Sequence, residues 1–179
     1  MQIQIIVVII LVYLISLKSY IWFLPTIPVY PSSVKESNQV LFATSTITYE
    51  EKELFYRTNK SVSTAFVPYV NESENQLTDM YIHYNSILYF FKYSINRPRP
   101  EQVNPLIKPL DTSSAQTPAY PAGHAMQAQL LANKLTKRYP EKKELFQKIA
   151  LQCDICRVKA GLHYYSDGEF ARALADSIS

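Results

Sequence analysis

The chain has 179 residues, which leaves room for one ordinary domain of roughly 100–150 residues and an appendage. Its formal net charge of +3 is too small for the electrostatic footprint of a nucleic-acid-binding protein, so any functional positive charge must be local. The only three glycines are Gly123, Gly161 and Gly168, which excludes a glycine-rich phosphate loop in the long stretch before them.

The N-terminal segment predicts a membrane anchor. Residues 3–24 are almost continuously apolar and close to the ~20 residues needed to span a bilayer, with Lys18 near one end where it can snorkel. We therefore expect residues 1–24 to make a single-pass membrane protein, whose orientation the few flanking charges leave open. The alternative is a cleaved signal peptide and a secreted protein, although no small-residue cleavage site follows.

A linker and a first helix are predicted next. Prolines and serines between residues 25 and 47 indicate an extended linker, so the globular domain is expected over residues 48–179. Thr48 followed by Glu51 fits a capping box that opens a helix running to about Asn59.

The middle of the domain is predicted to be one helix and one long loop. The helix is expected from near Ser73 to Ser94, buried on most sides because its middle is so apolar, and ended by Pro98 and Pro100. Residues 101–120 are rich in proline and polar residues without periodicity, which indicates a long loop of the kind that covers active sites.

Three further helices are predicted in the C-terminal part of the chain. Apolar residues recur at helical spacing in three runs: Met126, Leu130, Leu131 and Leu135; Leu145, Ile149, Cys153 and Cys156; and Phe170, Leu174 and Ile178. The first run follows Gly123 and ends at Pro140. No segment alternates with a period of two, so we expect an all-α domain. Cys153 and Cys156 are expected to be reduced and structural, with a redox pair as the alternative, because a lone CxxC is weak evidence for zinc.

Two residues in the last part of the sequence have the spacing of a nucleophile and its orienting partner. His163 and Asp167 are four residues apart and therefore lie on one face of a helix. The carboxylate can accept a hydrogen bond from one ring nitrogen, which leaves the opposite nitrogen free to attack. Phosphorus is the electrophile that would give a useful covalent intermediate.

Cations and a helix start complete the pattern for a phosphate. Arg99 and Arg157 offer planar donor groups that match phosphate oxygens, and Lys92 adds a point charge. Gly123 precedes a predicted helix, where free N–H groups favour an anion. His124 comes next and is suited to protonate the departing oxygen. No cluster of Asp and Glu suggests a two-metal site, so we expect neither a metal nor another cofactor.

These segments resemble the three-part signature of the superfamily of type 2 phosphatidic acid phosphatases, class A acid phosphatases and vanadium haloperoxidases. That signature is KxxxxxxRP, PSGH and SRxxxxxHxxxD, and here it reads KYSINRPRP from Lys92, PAGH from Pro121 and CRVKAGLHYYSD from Cys156. The resemblance covers residues 48–179. It implies a helical bundle with His163 as nucleophile, His124 as acid, Asp167 as orienting partner, and Lys92, Arg99, Gly123 and Arg157 on phosphate.

Two departures from the signature keep alternatives open. Ala122 replaces a serine whose hydroxyl would bond the phosphate, a bond of ~1.5–3 kcal/mol if it is made to a charged group, and Cys156 replaces the serine before Arg157. We expect a metal-independent phosphatase acting on phosphomonoesters or diphosphates, lipid phosphates included, with vanadate as an inhibitor. The alternatives are a catalytically weak, membrane-tethered binding or structural protein and, less favoured, a haloperoxidase with vanadate as prosthetic group. The oligomeric state is left open.

Overall fold

The structure, a computed structural model, describes residues 29–179, and these residues form helices and loops without a strand. The predicted all-α class is thereby confirmed for this part of the chain. The predicted anchor, residues 3–24, lies outside the described residues. Between residues 29 and 179 no helix is both long enough and apolar enough to cross a membrane.

Eight α-helices are described, and short 3₁₀ turns connect several of them. The helices are α1 Ser33–Thr44, α2 Tyr49–Thr58, α3 Glu74–Asp79, α4 Asn85–Ile95, α5 Pro100–Val103, α6 Gly123–Arg138, α7 Lys143–Lys159 and α8 Tyr165–Ile178. The 3₁₀ turns are Val62–Ala65, Val67–Tyr69, Ile82–Tyr84 and Pro140–Lys142.

The extended linker predicted for residues 25–47 is wrong for most of its described part, because residues 33–44 form α1. The prolines that suggested extended chain all precede this helix, the last at Pro31. From Ser33 onward nothing opposes helix, and one side of α1 is buried, at Glu36, Ser37, Val40 and Ala43.

The helix predicted from Ser73 to Ser94 is broken into two. α3 ends where the Met80 and Tyr81 N–H groups bond carbonyls three residues back, a 3₁₀ pattern that tightens the end of a helix. Lys134 Nζ donates to the Met80 carbonyl at 2.6 Å and satisfies the acceptor that the break exposes.

The following helix, α4, is also less buried than expected. Its buried side carries Leu88, Lys92 and Ile95, whereas Tyr89 is 45% and Phe90 66% exposed. The prediction of a central buried helix was wrong because apolarity all round a helix does not say which sides are covered.

The central helix is α6, which packs against both α7 and α8. The predicted apolar run along it is confirmed as core: Leu130, Leu131 and Leu135 are fully buried and form one cluster with residues of α7 and α8 such as Phe146 and Ala171. The capping box at Thr48 is also present, with the Glu51 side chain accepting a hydrogen bond from the Thr48 N–H group. A rigid core thus supports the start of α6, where the signature residues lie.

Two backbone positions turn the chain toward the signature residues. Asn96 ends α4 in the left-handed conformation (φ 53°), which asparagine tolerates better than most residues, and directs the following Arg97-Pro98-Arg99-Pro100 segment inward. Gly161 has φ 83° after α7, and a Cβ there would lie 3.0 Å from Ile107 Cγ2. Glycine is required at this turn, which delivers Leu162 and His163 to the site.

Candidate active site

A small cavity of about 110 Å³ gathers most of the signature residues. It is lined by Leu88, Tyr89, Lys92, Arg99, Ser114, Thr117, Gly123, His124, Gln127 and His163. The lining thus combines two cations and two imidazoles, and it includes neither Asp nor Glu among the described residues. A cavity of this character favours an anionic ligand, because buried positive groups that face one another need a counter-charge.

A larger cavity of about 490 Å³ lies elsewhere, over α2, lined by Tyr49, Lys52, Glu53, Tyr56 and Arg57. It is shallow and contains neither histidine of the signature. Chemistry rather than size therefore selects the smaller cavity as the candidate active site.

His163 lies just before α8 and is almost fully buried. The Arg99 Nη1 group is 3.1 Å from His163 Nε2. Because a guanidinium can only donate, Nε2 must accept, so the ring carries its lone pair on Nε2 and its proton on Nδ1. This is the tautomer that an attacking Nε2 requires.

The ring is also held neutral. Burial lowers the pKa of His163 well below its usual value, and the charges of Arg99, Lys92 and Arg157 lower it further, while the Ala119 backbone opposes them. The unliganded site therefore presents an unprotonated nitrogen at neutral and mildly acidic pH.

Asp167 contacts His163 as predicted, but by a different geometry. His163 precedes α8 and Asp167 is in its first turn, so the two residues do not share a helical face. Asp167 Oδ2 lies 3.4 Å from His163 Nδ1 and accepts a shorter bond, 2.9 Å, from the Tyr164 N–H group. Burial raises the pKa of Asp167, and the charge of Arg97 is the main opposing influence. The carboxylate thus both caps the start of α8 and faces the imidazole.

His124 is the second residue of α6 and lines the same cavity as His163. Its Nε2 group lies 3.2 Å from the Thr58 carbonyl, an acceptor, so Nε2 carries the proton and donates. Burial, Arg157 and His163 lower the pKa of His124 well below its usual value. A bound anion would raise this pKa again, which is the condition for His124 to act as an acid.

Lys92 and Arg99 supply the positive charge of the cavity. Lys92 Nζ donates to the Pro118 carbonyl at 2.6 Å, and Arg99 donates to the carbonyls of Thr117 and Leu162, each at 2.8 Å. Both are nearly inaccessible to solvent. Burial, followed by the charge of Arg99, lowers the pKa of Lys92 well below its usual value, and burial lowers the pKa of Arg99 to about 10. Within the described part of the chain, neither cation forms an ion pair with a carboxylate.

The start of α6 contributes backbone donors. Gly123 is its first residue, and Ala122 precedes it without making a side-chain cap. A Cβ on Gly123 would lie 3.3 Å from Leu88 Cδ2 and 4.0 Å from Lys92 Cε, so glycine keeps this wall close to the cation. The Ala122 N–H group donates to the Asp167 carbonyl at 3.1 Å, which ties the start of α6 to that of α8.

Arg157 is not among the residues that line the cavity. Its Nη groups donate to the Asn59 side chain at 3.0 Å, to Thr58 Oγ1 at 3.2 Å and to the Phe55 carbonyl at 3.3 Å. Its Nη1 group lies 3.5 Å from Ser114 Oγ, a cavity-lining atom, and its Nε group has no hydrogen-bond partner within residues 29–179. The structure therefore places Arg157 one side chain behind the cavity wall.

The predicted loop over residues 101–120 covers the site, after the short helix α5 at its start. It provides the cavity residues Ser114 and Thr117 and the carbonyls that hold Lys92 and Arg99. Asn59 ties it to the end of α2 through Asp111 at 2.9 Å and Ser114 at 2.7 Å. Loop position is therefore linked directly to cation position.

The two cysteines lie in α7, and both are free and buried. Burial raises the pKa of Cys153 to about 12 and that of Cys156 to about 11. Cys156 Sγ donates to the Cys153 carbonyl at 3.4 Å. Buried, protonated thiols, one of which donates to a carbonyl of its own helix, fit the interpretation of this pair as structural.

Arg97 is the residue that the sequence analysis missed. Its side chain is fully buried and forms ion pairs with Asp167 at 2.5 Å and with Glu36 at 2.6 Å. The available signal was the Arg-Pro-Arg-Pro run, in which only Arg99 belongs to the signature.

Neither the search for a metal site nor the comparison with known proteins identifies a function for the cavity. Within residues 29–179 no group of three or more His, Cys, Asp and Glu side chains is arranged to hold a metal ion. No protein-family model matches the sequence, and no curated protein matches it significantly.

Proposed function

We propose that this protein is a metal-independent phosphatase that hydrolyses phosphomonoesters or diphosphates through a phosphohistidine on His163. One observation carries the proposal: a small cavity brings buried Lys92 and Arg99 together with His163 and His124, and no Asp or Glu between residues 29 and 179 lines it. These four residues come from three distant parts of the chain. The reaction needs neither a metal nor another cofactor.

In the first step the phosphoryl group lies between the two imidazoles. His163 Nε2 attacks phosphorus, the bond from phosphorus to the leaving oxygen breaks, and His124 delivers a proton to that oxygen. Lys92, Arg99 and the N–H groups at the start of α6 stabilise the charge of the pentacoordinate transition state. Asp167 accepts from Nδ1 and stabilises the positive charge that develops on the ring.

In the second step His124 has lost its proton and acts as a base. It takes a proton from water, the water oxygen attacks phosphorus, and the bond from Nε2 to phosphorus breaks to release inorganic phosphate. Arg157 acts from behind the wall: its charge lowers the pKa of both histidines, and it donates to Asn59 and to Ser114 of the loop.

The rim of the cavity favours an apolar or aromatic leaving group. Leu88 and Tyr89 line the cavity, on a helix whose one charged residue, Lys92, is buried. Phosphorylated lipids and aryl phosphates satisfy this description, as substrates that present an anion beside an apolar group.

A second candidate is a family member with weak catalysis that binds phosphates without turning them over. Ala122 favours it, because the side chain at this position makes no cap and offers no hydroxyl to a phosphate. The Ala122→Ser variant separates the two: a steep rise from nearly undetectable turnover supports the weak-catalyst alternative, and robust turnover by the wild type excludes it.

The test of the proposal is hydrolysis of an aryl phosphate by the full chain, with and without a chelator and vanadate. We expect activity that resists the chelator, is inhibited by vanadate and is lost in His163→Ala. The exposed His83 provides a matched control, since His83→Ala should retain activity. Activity that the chelator abolishes but His163→Ala retains contradicts the proposal.

A further inference from the structure

Arg97 is enclosed on every side. Its guanidinium carbon lies 3.8 Å from the centre of the Tyr164 ring and 4.1 Å from that of Tyr30. Nε donates to Ser33 Oγ at 3.2 Å, Nη1 to Ser166 Oγ at 2.8 Å and to Asp167, and Nη2 to Glu36. Such a side chain has one available position, so whatever it holds is held rigidly.

Arg97 decides which oxygen of Asp167 faces the imidazole. It binds Oδ1 at 2.5 Å, which leaves Oδ2 toward His163 Nδ1. The contact between Oδ2 and Nδ1 is long, 3.4 Å, so the imidazole does not itself fix the carboxylate. The orientation of Asp167 comes from Arg97 and from the Tyr164 N–H group.

Glu36 in turn decides the position of Arg97. Its Oε2 atom accepts from Arg97 at 2.6 Å and from Ser166 Oγ at 2.6 Å, and its Oε1 atom accepts from the Ser166 N–H group at 3.2 Å. Glu36 thus joins α1 to Arg97 and to the residue immediately before Asp167.

We propose that Glu36 and Arg97 are positioning residues for His163, so that α1, outside the signature, completes the active site. Glu36 holds Arg97, Arg97 holds Asp167, and Asp167 orients the Nδ1–H group. Neither Glu36 nor Arg97 lines the cavity, so neither touches the phosphate. This inference rests on the proposed role of His163 as nucleophile.

The experiment compares Glu36→Ala, Glu36→Gln and a matched control in the full chain. The control is Glu72→Ala, because Glu72 also bridges an arginine and a hydroxyl, Arg138 at 2.8 Å and Tyr139 at 3.0 Å, but away from the site. Glu36 is varied rather than Arg97, since removal of a fully buried arginine is the change most prone to prevent folding. Turnover of an aryl phosphate and the Kd values of vanadate and inorganic phosphate are measured per folded molecule.

We expect Glu36→Ala to lower kcat about tenfold while KM stays within about twofold, as for a lost hydrogen bond that orients a charged group. Vanadate, which imitates the pentacoordinate state bonded to His163, should bind about tenfold more weakly. Inorganic phosphate, held by the cations, should bind within about twofold of wild type. Glu36→Gln keeps an acceptor oxygen and should recover most of the loss.

The inference is overturned if Glu36→Ala matches Glu72→Ala in kcat and in vanadate affinity, or if Glu36→Ala weakens phosphate as much as vanadate, which indicates general damage. The wild type could also show no turnover while Glu36→Ala selectively weakens its vanadate binding. That result defeats the phosphatase proposal and supports the positioning role. A wild type that binds neither ligand defeats both.

Discussion

Acid lability is a direct consequence of the two imidazoles of the cavity. Burial and neighbouring cations lower the pKa values of His124 and His163 well below the usual value near 6.5, so the folded chain takes up no proton there as the pH falls. The unfolded chain does take up protons at both residues. Stability therefore decreases as the pH falls through about 6.5, the pKa of the unfolded histidines.

The size of the effect follows from proton linkage. Between pH 7.5 and 5.5 each histidine that stays neutral in the folded state costs about 1.4 kcal/mol, so the pair costs about 3 kcal/mol. Asp167, whose pKa burial raises, acts in the opposite direction, since the folded state then gains a proton more readily than the unfolded state. The histidine contribution is therefore read as a difference between the wild type and each single variant.

The measurement is chemical denaturation of the full chain in detergent at pH 7.5 and pH 5.5. His163→Gln and His124→Gln should each remove about 1.4 kcal/mol of the pH-dependent loss. Saturating inorganic phosphate should flatten the wild-type dependence, because a bound anion raises both pKa values. Equal pH dependence in the wild type and both site variants refutes the account of the cavity as a buried, positively charged site.

Three further changes have expected outcomes. His124→Gln should lower the rate of hydrolysis of an alkyl phosphate by a factor of about 10²–10⁴. The rate for a nitrophenyl phosphate should fall much less, because the better leaving group needs no proton. Equal losses for the two substrates in steady-state kinetics contradict an acid role. Ala122→Ser should raise kcat about tenfold if its hydroxyl bonds the transition state, and should also raise Tm, since serine is the better N-cap; a higher Tm alone indicates a cap without a catalytic role. Gly161→Ala should destabilise the chain by more than about 1 kcal/mol in denaturation, because φ is 83° and the new Cβ meets Ile107; an unchanged midpoint shows that the turn is not needed.

The two cations and two histidines of the cavity could be predicted because each lies in a short motif. Lys92, Arg99, His124 and His163 lie in motifs of fixed spacing. The end of α4, the start of α5, the start of α6 and the turn before α8 bring them to one cavity. The helices after Gly123 were predictable for a similar reason, since their apolar residues keep a clear helical period and become the core.

Arg97 and Glu36 could not be predicted, because the contacts that give them importance are distant in sequence. Glu36 precedes Arg97 by 61 residues, and Arg97 precedes Asp167 by 70. No local pattern distinguishes Glu36 from a solvated charge, and the prolines before it suggested extended chain. The break before α4 also depends on a contact that is distant in sequence, since Lys134 of α6 donates a hydrogen bond to the Met80 carbonyl.

The role of Arg157 shows the limit of a motif that is locally intact. The signature implies contact with phosphate, whereas the side chain lies behind Ser114 and is held by Asn59, Thr58 and Phe55. The spacing of a motif specifies which residue reaches a region. The neighbours that compete for its donors decide which of its atoms reach the ligand.

The most direct test of the central claim is to trap the phosphoenzyme. Full-length protein is mixed with an aryl phosphate, quenched with alkali, digested and analysed by mass spectrometry for the modified residue. The account predicts an acid-labile phosphoryl group on His163, absent from His163→Ala and retained in His124→Gln, where hydrolysis of the intermediate loses its base. A phosphoryl group on another residue, or substrate turnover that continues in His163→Ala, contradicts the claim that His163 attacks phosphorus.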